Sequence, residues 1–123
     1  MPAYNGEKTI AKVIVMASKL VDEVIVCDDG STDPTGEMAE KLGAHVIRHS
    51  RNLGKAAAPR SLFQAAIELG ADVVVLEGSI AVDSQIPVEA SKHGLRIAEA
   101  PITVAYSGLN RSTYNTLSHF YTE

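Results

Sequence analysis

Two stretches of the chain, KLGAHVIRH at residues 41–49 and ELGADVVVL at residues 68–76, repeat one grammar. In each, a helical stripe ends at a glycine, Gly43 or Gly70, and an apolar run follows at once. Glycine suits that position because it enters the left-handed conformation that closes a helix. Helix ends feeding short apolar strands are the joints of βα units, not of a solenoid repeat. Strands that alternate with helices require a parallel sheet with helices on both faces. The expected fold class is therefore α/β, a three-layer αβα sandwich with a mostly parallel sheet.

The remaining elements follow from the same patterning. Ile10, Val13, Ile14, Ala17 and Val21 share one helical face, predicting a first helix over residues 7–21 with Asn5 as its N-cap. Residues 23–27 read as a buried strand, and Asp33-Pro34 as a cap followed by proline at the first helical position. A helix to about Leu42, a strand over 44–48, a loop over 51–55, a helical stripe ending at Gly70 and a strand over 72–76 come next. Asp83 or Ser84 caps a further helix through His93, closed by Gly94. A last strand over 95–106 carries Pro101 and so suits an edge or a bulge.

The chain has 123 residues, 46% of them hydrophobic, enough for one core and a single domain over residues 1–123. Eleven basic against 15 acidic side chains give a net charge of -4. No broad positive field is available for nucleic acid, and any phosphate site must be local. The lone cysteine, Cys27, has no partner for an internal disulfide and no zinc-type spacing around it. No basic-then-apolar leader opens the chain, and the longest wholly apolar run, residues 73–76, is far short of a membrane span. These features predict a cytoplasmic protein, with peripheral contact at a membrane left open. His45, His93 and His119 stand at no metal-ligand spacing and are taken as structural or surface residues.

The segment CDDGSTD, residues 27–33, concentrates the chemistry. Two carboxylates, Asp28 and Asp29, stand where a strand runs out, the place where open α/β sheets put ligands. One can accept hydrogen bonds from a nucleobase or a ribose while the other holds the loop; the plainer alternative is a capped turn beside Gly30-Ser31. Arg48, His49, Arg51 and Lys55 form a basic cluster after the next strand, with Gly54 allowing close backbone approach. Such a cluster can neutralise a diphosphate, or can simply be a solvated loop. Tyr4 can pack against a base.

Taken together, PAYNGEKTI, VIVCDDGSTD, RNLGKAAA and GLRIAEAPITV resemble the family 2 glycosyltransferases, in particular the dolichyl-phosphate mannose or glucose synthase-like branch. The blocks occur in the family's order and touch most of the chain. The resemblance implies a GT-A fold, a Rossmann-like sandwich that binds a nucleoside diphosphate sugar. It implies that Pro2, Ala3 and Tyr4 border the nucleoside, that Asp28 or Asp29 reads base or ribose, and that Arg51, Gly54 and Lys55 lie near the nucleotide. The implied partners are a UDP- or GDP-sugar and a lipid phosphate acceptor.

The departures from the family are specific. Where an Asp-x-Asp motif would hold Mg²⁺ or Mn²⁺ against the diphosphate, this chain reads Glu77-Gly78-Ser79, which keeps one carboxylate and one hydroxyl. The text then passes within a few residues to Asp83-Ser84-Gln85, which resembles a much later part of the family. Asp83 is the candidate catalytic base, with Glu89 the other nearby carboxylate. The expected function is thus hexose transfer from a nucleotide sugar; the alternative is a nonenzymatic nucleotide-sugar binding module, a remnant or minimal fold. A receiver-like domain lacks its lysine, and a dinucleotide-binding unit lacks its Gly-x-Gly-x-x-Gly. Only Met1 precedes the turn-like Pro2-Ala3-Tyr4. A missing central strand is therefore expected, covered by a homodimer or by residues 97–106 moving into the gap.

Overall fold

The computed structural model describes residues 1–54, 57–77 and 85–100. Along the chain run β1 (Pro2–Ala3), α1 (Ile10–Ala17), β2 (Ile25–Asp28), α2 (Thr35–Lys41), β3 (His45–Arg48), α3 (Ala57–Glu68), β4 (Val73–Glu77), α4 (Gln85–Lys92) and β5 (Arg96–Ala100). The strands form two parallel ladders, β1-β2-β3 and β4-β5. The α/β class holds, and the repeated junctions behave as their text requires: Gly43 and Gly70 take φ of 90° and 73° between helix and strand.

Strand alternation sorts the side chains of β2 between two layers. Val26 joins Ala3, Ile10 and Ile14 of α1, and Ala39 of α2, in one buried cluster. Ile25 points the other way, against a second cluster of Phe63 and Ala66 of α3, Ala90 of α4 and Leu95. Val74 of β4 and Ile97 of β5 pack on that second cluster, so α3 lies against both ladders. On β4, Val73 and Val75 are 40% and 37% exposed, whereas a strand covered on both faces would bury them.

Four expectations are corrected. The first strand is present: the residues that read as a turn form β1, with Pro2 opposite Cys27 and Ala3 opposite Asp28. Met1 contributes its carbonyl to the Cys27 N–H at 2.7 Å. Residues 97–100 do not enter beside it, because the β4-α4-β5 crossover brings β5 onto β4 in the register Val73↔Arg96 to Glu77↔Ala100. The remainder of the predicted last strand, with Pro101, lies outside the described residues.

Asn5 does not cap α1, whose N-cap is Thr9. Asn5 adopts a left-handed φ of 49° and turns its amide toward the loop after β2. The first helix is also shorter than its apolar stripe. A turn closed by the Thr9 and Ile10 N–H groups on the Gly6 carbonyl precedes it, and Val21 lies beyond its end.

Candidate functional site

Parallel pairing aligns the carboxyl ends of the first three strands. Ala3 stands opposite Asp28, and Asp28 opposite Arg48. The next residues, Tyr4, Asp29 and His49, make the rim above that row. Backbone bonds fix it: the Asp29 N–H donates to the Ala3 carbonyl at 2.8 Å, and the His49 N–H to the Asp28 carbonyl at 2.9 Å.

The loop after β1 is stapled to the loop after β2. The Asn5 N–H donates to Ser31 Oγ at 2.9 Å, and Asn5 Oδ1 accepts from the Thr32 N–H at 2.9 Å and from its hydroxyl. The Gly6 N–H donates to Thr35 Oγ1 at 2.9 Å. Asp33 accepts from the Glu7 N–H at 3.1 Å and the Thr35 N–H at 3.0 Å, and from the Thr35 hydroxyl. Its bond to the Thr35 N–H ties Asp33 to the first turn of α2, but the N-cap of that helix is Pro34, with no side-chain capping bond, so the expected cap at Asp33 with proline at the first helical position is displaced by one residue.

Asp28 and Asp29 are both 6% exposed, and the pleat sends them to opposite layers. Asp28 faces α2. Its Oδ1 accepts from the Ser31 N–H at 3.0 Å, and its Oδ2 and the Arg48 guanidinium close on the same space over Gly36. Asp29 faces α3. Its Oδ1 accepts from His49 Nδ1 at 2.8 Å and from the Leu53 N–H at 2.9 Å. Its Oδ2 makes no hydrogen bond with another described residue.

The loop after β3 packs directly on this pair. A Cβ placed on Gly30, which has φ 76°, would lie 2.5 Å from the Asn52 nitrogen and 2.7 Å from Arg51 Cα. Gly54 follows with φ 92°, and its N–H donates to Asn52 Oδ1 at 2.9 Å. Cys27 lies beneath, buried, its sulfur 3.6 Å from His49 Nε2 and 3.9 Å from Nδ1. Burial pushes the Cys27 thiol up to about 12, with the Asp29 and Asp28 carboxylates adding to it, so it stands as a neutral packing group and not as a nucleophile.

Of the residues singled out by sequence, Pro2, Ala3, Tyr4, Asp28, Asp29, Arg51 and Gly54 converge on this edge. Within the proposed basic cluster, Arg48 and His49 part ways. Strand alternation sends Arg48 toward α2, where it pairs with Glu37 at 3.6 Å and with Glu40, while His49 turns to Asp29 and to Ser61 Oγ at 2.8 Å. Lys55, Ser79 and Asp83 lie outside the described residues. Glu77 ends β4, in the other ladder. Among the described residues no group of three or more His, Cys, Asp or Glu side chains could hold a metal ion. Also among the described residues, no helix is long and apolar enough to cross a membrane.

Sequence reading missed Asn5 as the staple, Thr35 as its buried partner and Ser61 altogether. The adjacency of Arg48, the last residue of β3, and His49, the next, was the signal that could have separated them, since neighbours along an extended chain face opposite ways.

Residues 1–75 match the profile described as Glycosyl transferase family 2. The chain is 43% identical over 81 residues to glycosyltransferase AglJ of Haloferax volcanii, a match covering 63% of this chain and 25% of that protein. It is 31% identical over 93 residues to the UDP-N-acetylglucosamine–dolichyl-phosphate N-acetylglucosaminyltransferase of Methanococcus voltae, covering 61% of this chain and 37% of that protein. A dolichyl-phosphate hexose transferase of Haloferax volcanii is 43% identical over 49 residues, 38% of this chain and 22% of that protein. The chain thus spans little more than a third, at most, of the length of these three relatives. No solved structure gives a significant match.

Proposed function

From the premise that this chain belongs to glycosyl transferase family 2, we propose that it binds a UDP- or GDP-sugar at the carboxyl edge of β1, β2 and β3 and serves hexose transfer to a lipid phosphate. The observation that carries the reading is the state of Asp29: a carboxylate in the rim of that edge, held through Oδ1 by two donors while Oδ2 makes no bond with another described residue. A carboxylate oxygen is an acceptor only, the complement of the imide N–H of uracil, the N1–H and amino group of guanine, or a ribose hydroxyl.

The surrounding roles follow from placement. Tyr4, half-buried at the end of β1, offers a ring to the base, with Pro2 and Ala3 forming the floor below it. Asp28 keeps the loop closed through the Ser31 N–H. Arg51 is exposed in the loop packed on Gly30 and supplies positive charge to the diphosphate, with Gly54 letting the backbone come close. The acceptor class rests on the two relatives whose names include dolichyl phosphate. Such an acceptor would bring the chain to a membrane surface.

Calorimetry with UDP, GDP and their sugars tests the reading. The Asp28→Ala, Asp29→Ala double variant is expected to bind at least about tenfold more weakly, about 1.4 kcal/mol, with its far-UV circular dichroism retained. Equal affinity in wild type and double variant refutes the site.

A further inference from the structure

We propose that His49, itself held by Ser61, is the positioning residue that aims Asp29 at the nucleotide. The inference rests on the nucleotide reading above and adds to it a specific nitrogen with a specific task.

A strand-end carboxylate has two rotatable side-chain bonds, and one accepted hydrogen bond leaves it free to pivot. Asp29 accepts two on the same oxygen, from His49 Nδ1 at 2.8 Å and from the Leu53 N–H at 2.9 Å. Both donors belong to the segment after β3, so Oδ1 is anchored on that side and Oδ2 is left as the oxygen offered to a ligand. The arrangement also fixes the histidine. A carboxylate cannot donate, so Nδ1 must carry the hydrogen. In the neutral ring Nε2 is then an acceptor, and Ser61 Oγ, 2.8 Å away, donates to it.

The ring itself has little freedom. Cys27 Sγ lies at similar distances, 3.6 and 3.9 Å, from its two nitrogens, and the His49 N–H is tied to the Asp28 carbonyl. Side-chain exposure of 9% for both His49 and Asp29 keeps water from competing for these bonds. The relay therefore runs from α3 through the end of β3 to the end of β2, one residue from each. A histidine that merely filled space would need neither a particular tautomer nor partners on both nitrogens.

Two substitutions separate the nitrogens. His49→Asn puts an amide N–H near the place of Nδ1 and keeps the donor to Asp29. His49→Gln extends its amide to the place of Nε2, keeping a partner for Ser61 while abandoning Asp29. Calorimetry of the intact chain with UDP and with GDP is expected to show His49→Asn within about threefold of wild type and His49→Gln weaker by about tenfold or more. Urea midpoints of the two variants should fall by similar amounts, so that affinity and stability part company. Long-range ¹H–¹⁵N spectra of the unliganded wild type should show His49 as the Nδ1–H tautomer, a reading that needs no variant to fold. Equal affinities of the two variants, or an Nε2–H tautomer in wild type, overturns the inference and leaves the nucleotide site standing. A wild type that binds neither UDP nor GDP overturns the nucleotide reading itself, and this inference with it.

Discussion

Replacing Gly30 by alanine isolates the contact on which the site's rigidity depends. Two costs arise. The residue sits at φ 76°, in the left-handed region, where a side chain costs about 1–2 kcal/mol. The added Cβ would also lie 2.5 Å from the Asn52 nitrogen and 2.7 Å from Arg51 Cα, both main-chain atoms that cannot rotate away. Overpacking of this kind adds about 1–3 kcal/mol, so the total is about 2–5 kcal/mol.

Gly43 supplies the control. Its φ is 90°, and a Cβ there meets nothing within 4 Å, so Gly43→Ala carries only the conformational term of about 1–2 kcal/mol. The reduction of unfolded-chain entropy is common to both variants and cancels in the comparison. With a urea slope of about 2 kcal/mol per molar, the overlap term separates the two midpoints by about 0.5–1.5 M, Gly30→Ala being the lower. Relief of the overlap moves Arg51 and Asn52 away from Gly30 and draws the Leu53 N–H off Asp29. Nucleotide affinity should therefore fall in Gly30→Ala and persist in Gly43→Ala at a urea-free temperature where both are folded. Coincident midpoints would show that the packing of the two loops carries no energy and would refute the reasoning.

Gly36→Ala sets a helix gain of about 1 kcal/mol against a Cβ 2.6 Å from Oδ2 of the buried Asp28, an overlap of about 1–3 kcal/mol, so thermal stability is expected to hold or fall slightly while calorimetric nucleotide affinity falls. The Cys27 thiol, raised by burial to about 12 against an ordinary value of 9.0, stays protonated in the folded chain while the unfolded chain ionises. Wild type should accordingly lose stability relative to Cys27→Ala as pH rises from about 9 toward 12 and match its pH dependence below that window, which urea midpoints taken across the range will show.

The parts of the fold legible in the text were those that local chemistry decides. Gly43 and Gly70 end their helices because only a left-handed residue closes those turns. β1 was not legible. Two residues carry no alternation, and their pairing with Cys27 and Asp28 comes from a partner 25 positions away. Asn5 before a helical stripe reads as a cap, yet the bonds offered by Thr32 across the gap between loops outweighed that local use. The row Arg48-His49 read as one basic cluster because charge was counted along the chain; the pleat divides it, giving Arg48 to the glutamates of α2 and His49 to Asp29. Of the site, the carboxylate pair was visible, while the histidine and serine behind it depend on which helix lies across the sheet.

That division lets the two carboxylates be altered separately. Asp28 and Asp29 are neighbours in the gene but answer to different neighbourhoods, one governed by Gly36 and the loop at Ser31, the other by His49, Leu53 and Ser61. The β2 backbone stands between them like a bulkhead. A substitution in the helix on one side can therefore retune one carboxylate while the contacts of the other stay as they are.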